Sequence, residues 1–406
     1  MPNIKIVFAL LVLILLICRA SDAGPDVSTY TIVDLGTLGG KNCTAFALNN
    51  HSQIVGGSQI ASGVTHAFLW DKGKIQDLGV LPGDKGSVAY ALNDQGQAVG
   101  LSNDLNLPAS LGIGLANNLG AHAAVWNNKA ITKLPVDGGS MGFGIDNAGN
   151  TAGVITHGDV STAFVLIGTH LTAFGGPFSR VTAIAGAQAA GTFYTARDKS
   201  GMTYSHGFVW NAGHVRDLGL IDVVGVNALN DVGQVVGMAT FNYALPPQKQ
   251  HLEAFVWQNG KTRFLGRLPG SHLYSSACGI NSSGMIVGWS HAKEGYAEAV
   301  LWHNGQVINL NSCARVPHGY MLDMAQAVND KGQILCRGYT FTGNFKGGSF
   351  LLPMGAQIPG EVRHSFLLTP VVRPGVLLSA PAPSPRHDPL RYRPQWPLCL
   401  HSHAAH

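Results

Sequence analysis

The stretch from His66 to Gly100 sets a unit that recurs along the chain and that cannot fold by itself. It reads HAFLW, a polar turn DKGK, then IQDLG, a Gly/Pro connector, YALNDQG and QAVG. Apolar runs of about four or five residues between turn residues are the pattern of strands, because a helix needs ten or more residues of 3.6-residue periodicity. The head of the unit returns as Phe68-Leu69-Trp70, Ala124-Val125-Trp126, Phe164-Val165-Leu166, Phe208-Val209-Trp210, Phe255-Val256-Trp257, Val300-Leu301-Trp302 and Phe350-Leu351-Leu352. The intervals of roughly 40 to 56 residues are those of blades or solenoid coils. Tails ending in DLG stand at Asp34-Leu35-Gly36, Asp77-Leu78-Gly79 and Asp217-Leu218-Gly219. Degenerate tails stand at Lys133-Leu134-Pro135, Phe264-Leu265-Gly266 and Asn309-Leu310, and the copy at 171–176 is the most eroded.

The turns carry their own mechanism. In Asn93-Asp94-Gln95-Gly96, Asn230-Asp231-Val232-Gly233, Asn281-Ser282-Ser283-Gly284 and Asn329-Asp330-Lys331-Gly332, Asn opens a type I turn and Gly closes it in the left-handed region. Asn259-Gly260 and Asn304-Gly305 are two-residue hairpin signals just after the Trp. Each repeat therefore holds two tight hairpins, four antiparallel strands in all. Such a sheet has two apolar faces that only neighbouring copies can cover.

The expected fold is an all-β propeller of about seven four-stranded antiparallel blades, with eight blades or an open repeat array as the runner-up. The chain starts on a DLG-type strand, Tyr30 to Asp34, and ends on an FLL-type strand, so these two are expected to pair and close the ring. Two FLL runs compete for that place, Phe350-Leu351-Leu352 and Phe366-Leu367-Leu368. The connectors that vary in length fall at the end of the blades opposite the tight hairpins, and that face is the expected binding face.

Composition bounds the rest. Charged residues are 12% against the usual figure of about 25%, and the net charge of +4 is spread without a Lys/Arg cluster, so nucleic acid is not an expected partner. Residues 1–23 read as a secretory signal, with Lys5 before the apolar run Ile6 to Cys18 and small residues at Ser21-Asp22-Ala23. The run is too short for a bilayer span, so no stable membrane span is expected once it is removed. This predicts a secreted protein, extracellular or periplasmic. Residues 30–368 form the repeat domain, and 371–406, rich in Pro and His, read as a disordered tail. The cysteines read as small buried residues, with a Cys313–Cys336 pair as the alternative.

The chain resembles the HAF-repeat family of exported bacterial proteins. That family's signature of HAFLW, DLG and INDxGQVVG is similar to His66-Ala67-Phe68-Leu69-Trp70, Asp77-Leu78-Gly79 and the run from Leu92 to Gly100, with a second copy from Phe208 to Gly237. The resemblance implies an extracellular propeller-like fold and no settled chemistry. Many relatives carry a sorting segment after an FLLTP run; here Phe366-Leu367-Leu368-Thr369-Pro370 matches the lead-in, but no apolar span follows it.

His66, His122, His206 and His364 recur at the head of the FLW strand, with Glu253 and Glu298 in other copies. Equivalent positions on different blades lie too far apart to share one ion, so these are expected to bond neighbouring strands. The Trp residues read as packing between blades, and no catalytic residue, metal site or cofactor is assigned. What remains is aromatic and polar residues in the variable loops: Tyr194, Arg197, Asp198, Tyr204, Phe241, Tyr243 and Trp289. Flat aromatics beside hydrogen-bonding groups suit a glycan or a peptide. The expected function is a secreted, non-catalytic repeat propeller that binds one of these, or another protein at the cell surface. The alternatives are a polysaccharide lyase or hydrolase on the same scaffold and a structural envelope or matrix protein.

Overall fold

The computed structural model describes residues 30–104, 120–128, 130–176, 178–195, 204–241, 251–271, 273–292, 295–340 and 362–371. The first strand, β1 (Tyr30–Asp34), is set aside and returns at the end. Blade 1 is β2 (Gly39–Leu48), β3 (Ile54–Ile60), β4 (Thr65–Asp71) and β5 (Lys74–Gly79). Blade 2 is β6 (Gly86–Leu92), β7 (Ala98–Asn103), β8 (His122–Asn127) and β9 (Ala130–Lys133). Blade 3 is β10 (Gly139–Ile145), β11 (Thr151–His157), β12 (Val160–Ile167) and β13 (His170–Phe174). Blade 4 is β14 (Arg180–Ala185), β15 (Gln188–Tyr194), β16 (Ser205–Asn211) and β17 (His214–Ile221). Blade 5 is β18 (Val223–Leu229), β19 (Val235–Phe241), β20 (His251–Gln258) and β21 (Lys261–Phe264). Blade 6 is β22 (Ser275–Ile280), β23 (Ile286–His291), β24 (Ala297–His303) and β25 (Gln306–Asn309). Blade 7 is β26 (Tyr320–Val328), β27 (Ile334–Thr340), β28 (Val362–Pro370) and the returning β1. This is a seven-bladed β-propeller, with each sheet antiparallel in sequence order apart from the closing strand.

Closure follows the expected route, and the second FLL run makes it. β28 pairs with β1 from Tyr30↔Pro370 to Asp34↔Phe366, so the last hairpin has no covalent turn. Residues 350–352 lie outside the described residues. The tail also falls there beyond Val371, as does the leading segment.

Alternation along the FLW strand glues blade to blade. Phe68 and Trp70 share a core cluster with Leu335 and Leu367 of blade 7, whereas Ala67 and Leu69 join Ala89, Ala98 and Trp126 of blade 2. Successive side chains on a strand point to opposite faces, so one run serves two interfaces. Trp70, Trp126, Trp210, Trp257 and Trp302 are all buried, as packing residues should be. Cys43, Cys313 and Cys336 are also buried and Cys278 half-buried, all four with free thiols; the alternative Cys313–Cys336 disulfide does not form.

Every inner strand carries a β-bulge, which inserts one extra residue and bends the strand. The register shifts fall between Ala45/Ala47, Ala89/Ala91, Gly142/Gly144, Val181/Ala183, Val226/Ala228, Ala277/Gly279 and Ala325/Ala327. Opposite the bulge the second strand comes so close that only Gly fits in six blades. A Cβ on Gly100 would sit 1.9 Å from the Val88 carbonyl oxygen, and Gly56, Gly153, Gly191, Gly237 and Gly288 are as tightly placed. The final G of QVVG is thus a steric requirement of the bulge. In blade 7 the position is Cys336, and there the inner strand carries a further shift between Leu322 and Met324.

Candidate binding site

The recurrent charged residues are clasps within single blades. His66 Nδ1 lies 2.8 Å from Asp77, His206 Nδ1 2.8 Å from Asp217 and His364 Nδ1 2.7 Å from Asp34. The same carboxylates accept the following backbone N–H: Gly79 at 2.7 Å, Gly219 at 2.7 Å and Gly36 at 2.9 Å. HAF and DLG are therefore two halves of one device that ties the third strand of a blade to its fourth. The bond from Asp77 raises the His66 pKa against the opposing effect of burial. Burial pushes Asp34 and Asp77 up, but their His and Gly N–H bonds outweigh it and hold both carboxyls below the usual range. Where Glu253 replaces the His, its carboxylate takes the Gly266 N–H at 2.9 Å. Glu298 accepts from Asn309 in the same way. Among the described residues, no group of three or more His, Cys, Asp or Glu is placed to hold a metal ion.

At the tight-turn end of the axis lies a funnel of about 370 Å³, lined by the Asn turns and the residues flanking them. Each Asn closes its own turn and also reaches the next blade. Asn93 Oδ1 accepts the N–H of Gln95 and Gln97, while its Nδ2 donates to Gln97 Oε1 and, across the interface, to the Asp146 carbonyl at 2.9 Å. Asn49 reaches the Asn93 carbonyl at 3.0 Å, Asn230 that of Asn281 at 2.9 Å, Asn281 that of Asn329 at 3.0 Å and Asn329 that of Asn49 at 3.0 Å. The belt lapses on both sides of blade 4, which has Asp146 before it and Ala185-Gly186-Ala187 as its own turn. An ionised Asp side chain has no proton to donate, and Ala185 has no polar group. Blade 4 is joined to blade 5 differently, by Thr182 Oγ1 donating to the Val226 carbonyl at 2.6 Å. Asn opens these turns and Gly closes them, as their spacing predicts; the belt joins residues of different repeats and has no signal within one repeat.

The opposite, loop-bearing end holds the expected binding residues, and the structure separates them. Phe241 ends β19 with its ring packed on His251 and Phe264, both at 4.9 Å between centroids, which makes it a pin for its loop. Trp289 stands on blade 6 against His291 at 5.2 Å. Tyr204 is tied through its carbonyl to Thr195 N–H at 2.9 Å. Tyr194, at the end of β15, is 48% exposed. Arg197, Asp198 and Tyr243 lie outside the described residues.

Beside Tyr194 the structure places a partner the sequence did not single out. Phe178 is 49% exposed and its ring meets Tyr194 edge-on at 6.4 Å. Its φ of 62° lies in the left-handed region, an unfavourable place for a bulky side chain. The buried Ser179 fixes it there: its Oγ accepts the Ala163 N–H at 2.9 Å and lies 2.7 Å from the Gly176 carbonyl, and its N–H donates to the Ser161 carbonyl at 3.1 Å. Backbone strain held by neighbouring bonds and spent on presenting an aromatic ring to water is a hint of function. A phenylalanine next to Ser-Arg gives no signal in the sequence, because nothing there announces its φ. Arg180, on β14, completes the corner. Its Nε is buried and has no hydrogen-bond partner.

No family model matches the sequence, and no curated protein matches it. Among solved structures, the β-propeller domain of the trilobed protease from Pyrococcus furiosus is similar at 7% identity and a TM-score of 0.48, over 73% of this chain and 89% of that one. The acylaminoacyl peptidase of Pyrococcus horikoshii is similar at 10% identity and a TM-score of 0.38, over 62% of this chain. This chain spans only 44% of that peptidase's length. A gluconolactonase from Xanthomonas campestris is similar at 13% identity and a TM-score of 0.34, over 83% of this chain and 91% of that one.

Proposed function

We propose that the protein is an exported, non-catalytic binding propeller that takes a glycan or peptide at the loop end of blade 4. One observation carries this reading: Phe178 and Tyr194 stand half exposed and edge to face, and no other aromatic residue among the described residues is as exposed. Exposed aromatic pairs beside hydrogen-bonding groups are a recurrent way to hold a flat or partly apolar ligand. The recurrent His and Asp residues at the blade hairpins are already engaged with one another, which supports binding over turnover at those positions. The HAF-repeat resemblance and the segment 1–23 support export.

Glycan and peptide arrays probed with the mature chain test the reading. Binding is expected, and Tyr194→Ala or Phe178→Ala is expected to weaken it at least tenfold with unfolding temperature unchanged. Hits that survive both substitutions refute this site. Turnover of a hit would replace the binding reading with the polysaccharide lyase or hydrolase. Mass analysis of the protein from an expressing bacterium tests export, with cleavage expected near residue 23.

A further inference from the structure

Blade 4 holds a cation with no counter-charge bonded to it among the described residues. Arg180 pairs in register with Thr192, so the two side chains share a face of the sheet, and Tyr194, two residues further along β15, shares it too. The position Arg180 occupies on its inner strand is filled elsewhere by Thr44, Val88, Met141, Ser276 and Met324, the residue just before the bulge. Val88 and Met141 lie in one cluster that fills the interface between blades 2 and 3. The equivalent residue of blade 5 is Gly225, which turns toward Asn227 and blade 6, and its neighbour Val224 is 43% exposed. Leu218, Val223 and Val226 fill the interface between blades 4 and 5, and Arg180 stands at the loop end of its strand where three other blades carry Val or Met.

The electrostatics agree with the geometry. Burial lowers the Arg180 pKa, and Tyr194 is the group that acts against this. No carboxylate among the described residues bonds to it, and Asp222, which precedes blade 5, faces the charge of His206 instead. A guanidinium largely withdrawn from water without a counter-charge is costly, and a site that keeps one is ready for an anion. Its planar donor fork matches a carboxylate in two parallel bonds.

We infer that the corner formed by Arg180, Phe178 and Tyr194 binds a hexuronate residue of an acidic glycan, the guanidinium taking the sugar's carboxylate and the two rings taking its pyranose face. This rests on the reading of the blade 4 loop end as the binding site. A pyranose has an apolar face for an aromatic ring and hydroxyls for the polar groups around it. A hexuronate adds the one charge that Arg180 lacks.

Titration calorimetry with a galacturonic acid tetramer and its carboxyl-reduced counterpart tests the inference. The acidic tetramer is expected to bind at least tenfold more tightly, with affinity falling as salt rises. Arg180→Gln is expected to bring the two oligosaccharides to within threefold of each other, and Tyr194→Ala to weaken both. In the ligand-free protein Arg180→Met is expected to raise the unfolding temperature, because an unpaired buried charge is removed. Equal binding of the two tetramers, with Arg180→Gln without effect, overturns the inference and leaves the site standing. Binding of both that ignores Tyr194→Ala overturns the site as well. No binding of the acidic tetramer, tighter binding of an acidic peptide, or a fall in stability on Arg180→Met also overturns the inference. If Arg180→Gln fails to fold, Asp198→Ala and the salt dependence of the native protein decide it: the acidic tetramer must still lose affinity with salt and must not depend on Asp198.

Discussion

Blade 4 and the other six blades differ at both ends, and the difference separates what the ring needs from what it can spare. In blades 5, 6, 7, 1 and 2 an Asn at the turn hands a hydrogen bond to the next blade's carbonyl, and the belt runs unbroken from Asn230 to Asp146 of blade 3. Blade 4 has a shorter turn with no Asn, and its interface with blade 5 is held by a Thr bond deeper in the strand. At its loop end the same blade exposes two aromatics and keeps an arginine whose buried Nε has no partner among the described residues. Its apolar filling is nonetheless as complete as elsewhere: Val181, Ile184, Ala189, Phe208 and Trp210 are buried against blade 3. The hydrophobic interfaces are the common requirement; the polar belt tolerates one gap.

Four measurements break or sharpen this contrast. The largest effect belongs to what blade 4 shares with the rest. Gly100→Ala and Gly191→Ala each force a Cβ to about 2 Å from a carbonyl oxygen, 1.9 Å and 2.0 Å respectively. Each is expected to cost on the order of 3 kcal/mol in urea unfolding. If Gly191→Ala proves mild, blade 4 is loose throughout and the contrast drawn here is wrong. Next is the belt. Asn93→Ala leaves several buried groups unpaired and is expected to cost about 2 kcal/mol. Ala185→Asn, in a turn of different geometry, is expected to stay within about 0.5 kcal/mol of the native protein. A gain of stability from Ala185→Asn would show that the gap is a defect a single side chain can mend.

Smaller still is the substitute link. Thr182→Val is expected to cost about 1 kcal/mol and to speed amide exchange at Val226 and its neighbours while sparing blades 1 and 7. The smallest effect is that of the clasps, which have half-exposed carboxylates. His66→Ala is expected to cost about 0.5 kcal/mol or less. The raised His66 pKa stabilises the fold fully below about pH 6.5, and this is lost as pH rises through its folded value. The lowered Asp77 pKa stabilises fully above about pH 3.8, and this is lost as pH falls through its folded value. The gap in unfolding temperature between native and variant should therefore be widest near pH 5 and narrow toward pH 8 and toward pH 2. A gap that does not change with pH would mean that His66 acts by packing alone.

Much of the ring was legible in the chain. Asn and Gly at fixed turn positions, alternating FLW runs and a DLG strand at the start gave the blade, its hairpins and the closure. The choice between the two FLL runs was legible too, in retrospect: His364 stands two residues before Phe366, as His66 does before Phe68, whereas Gly348 precedes Phe350. The clasp to Asp34 requires that His. What could not be read was anything that depends on two blades meeting. The reach of Asn93 to another blade's carbonyl, the buried Arg180 Nε with no partner among the described residues and the left-handed Phe178 are set by tertiary register. Of the loop residues, Tyr194 proved exposed, whereas Phe241 proved to be packed. Hydrophobicity and loop position are alike for the two, and only the neighbouring Phe264 separates them.

The closing strand has a consequence for the time order of synthesis. β1 is made before every other described strand, yet its partner β28 lies at residues 362–370, so it must wait for all the strands between them. Blade 1 waits as well, because the Ala45 N–H donates to Ser365 Oγ at 2.9 Å and Phe68 packs against Leu367. Until then the nascent protein carries a bare strand edge and an uncovered apolar face, the two features that invite wrong pairing. Completion of the circle is thus a late, all-or-none event, and a ribosome that stalls before residue 362 releases a chain that has no way to finish.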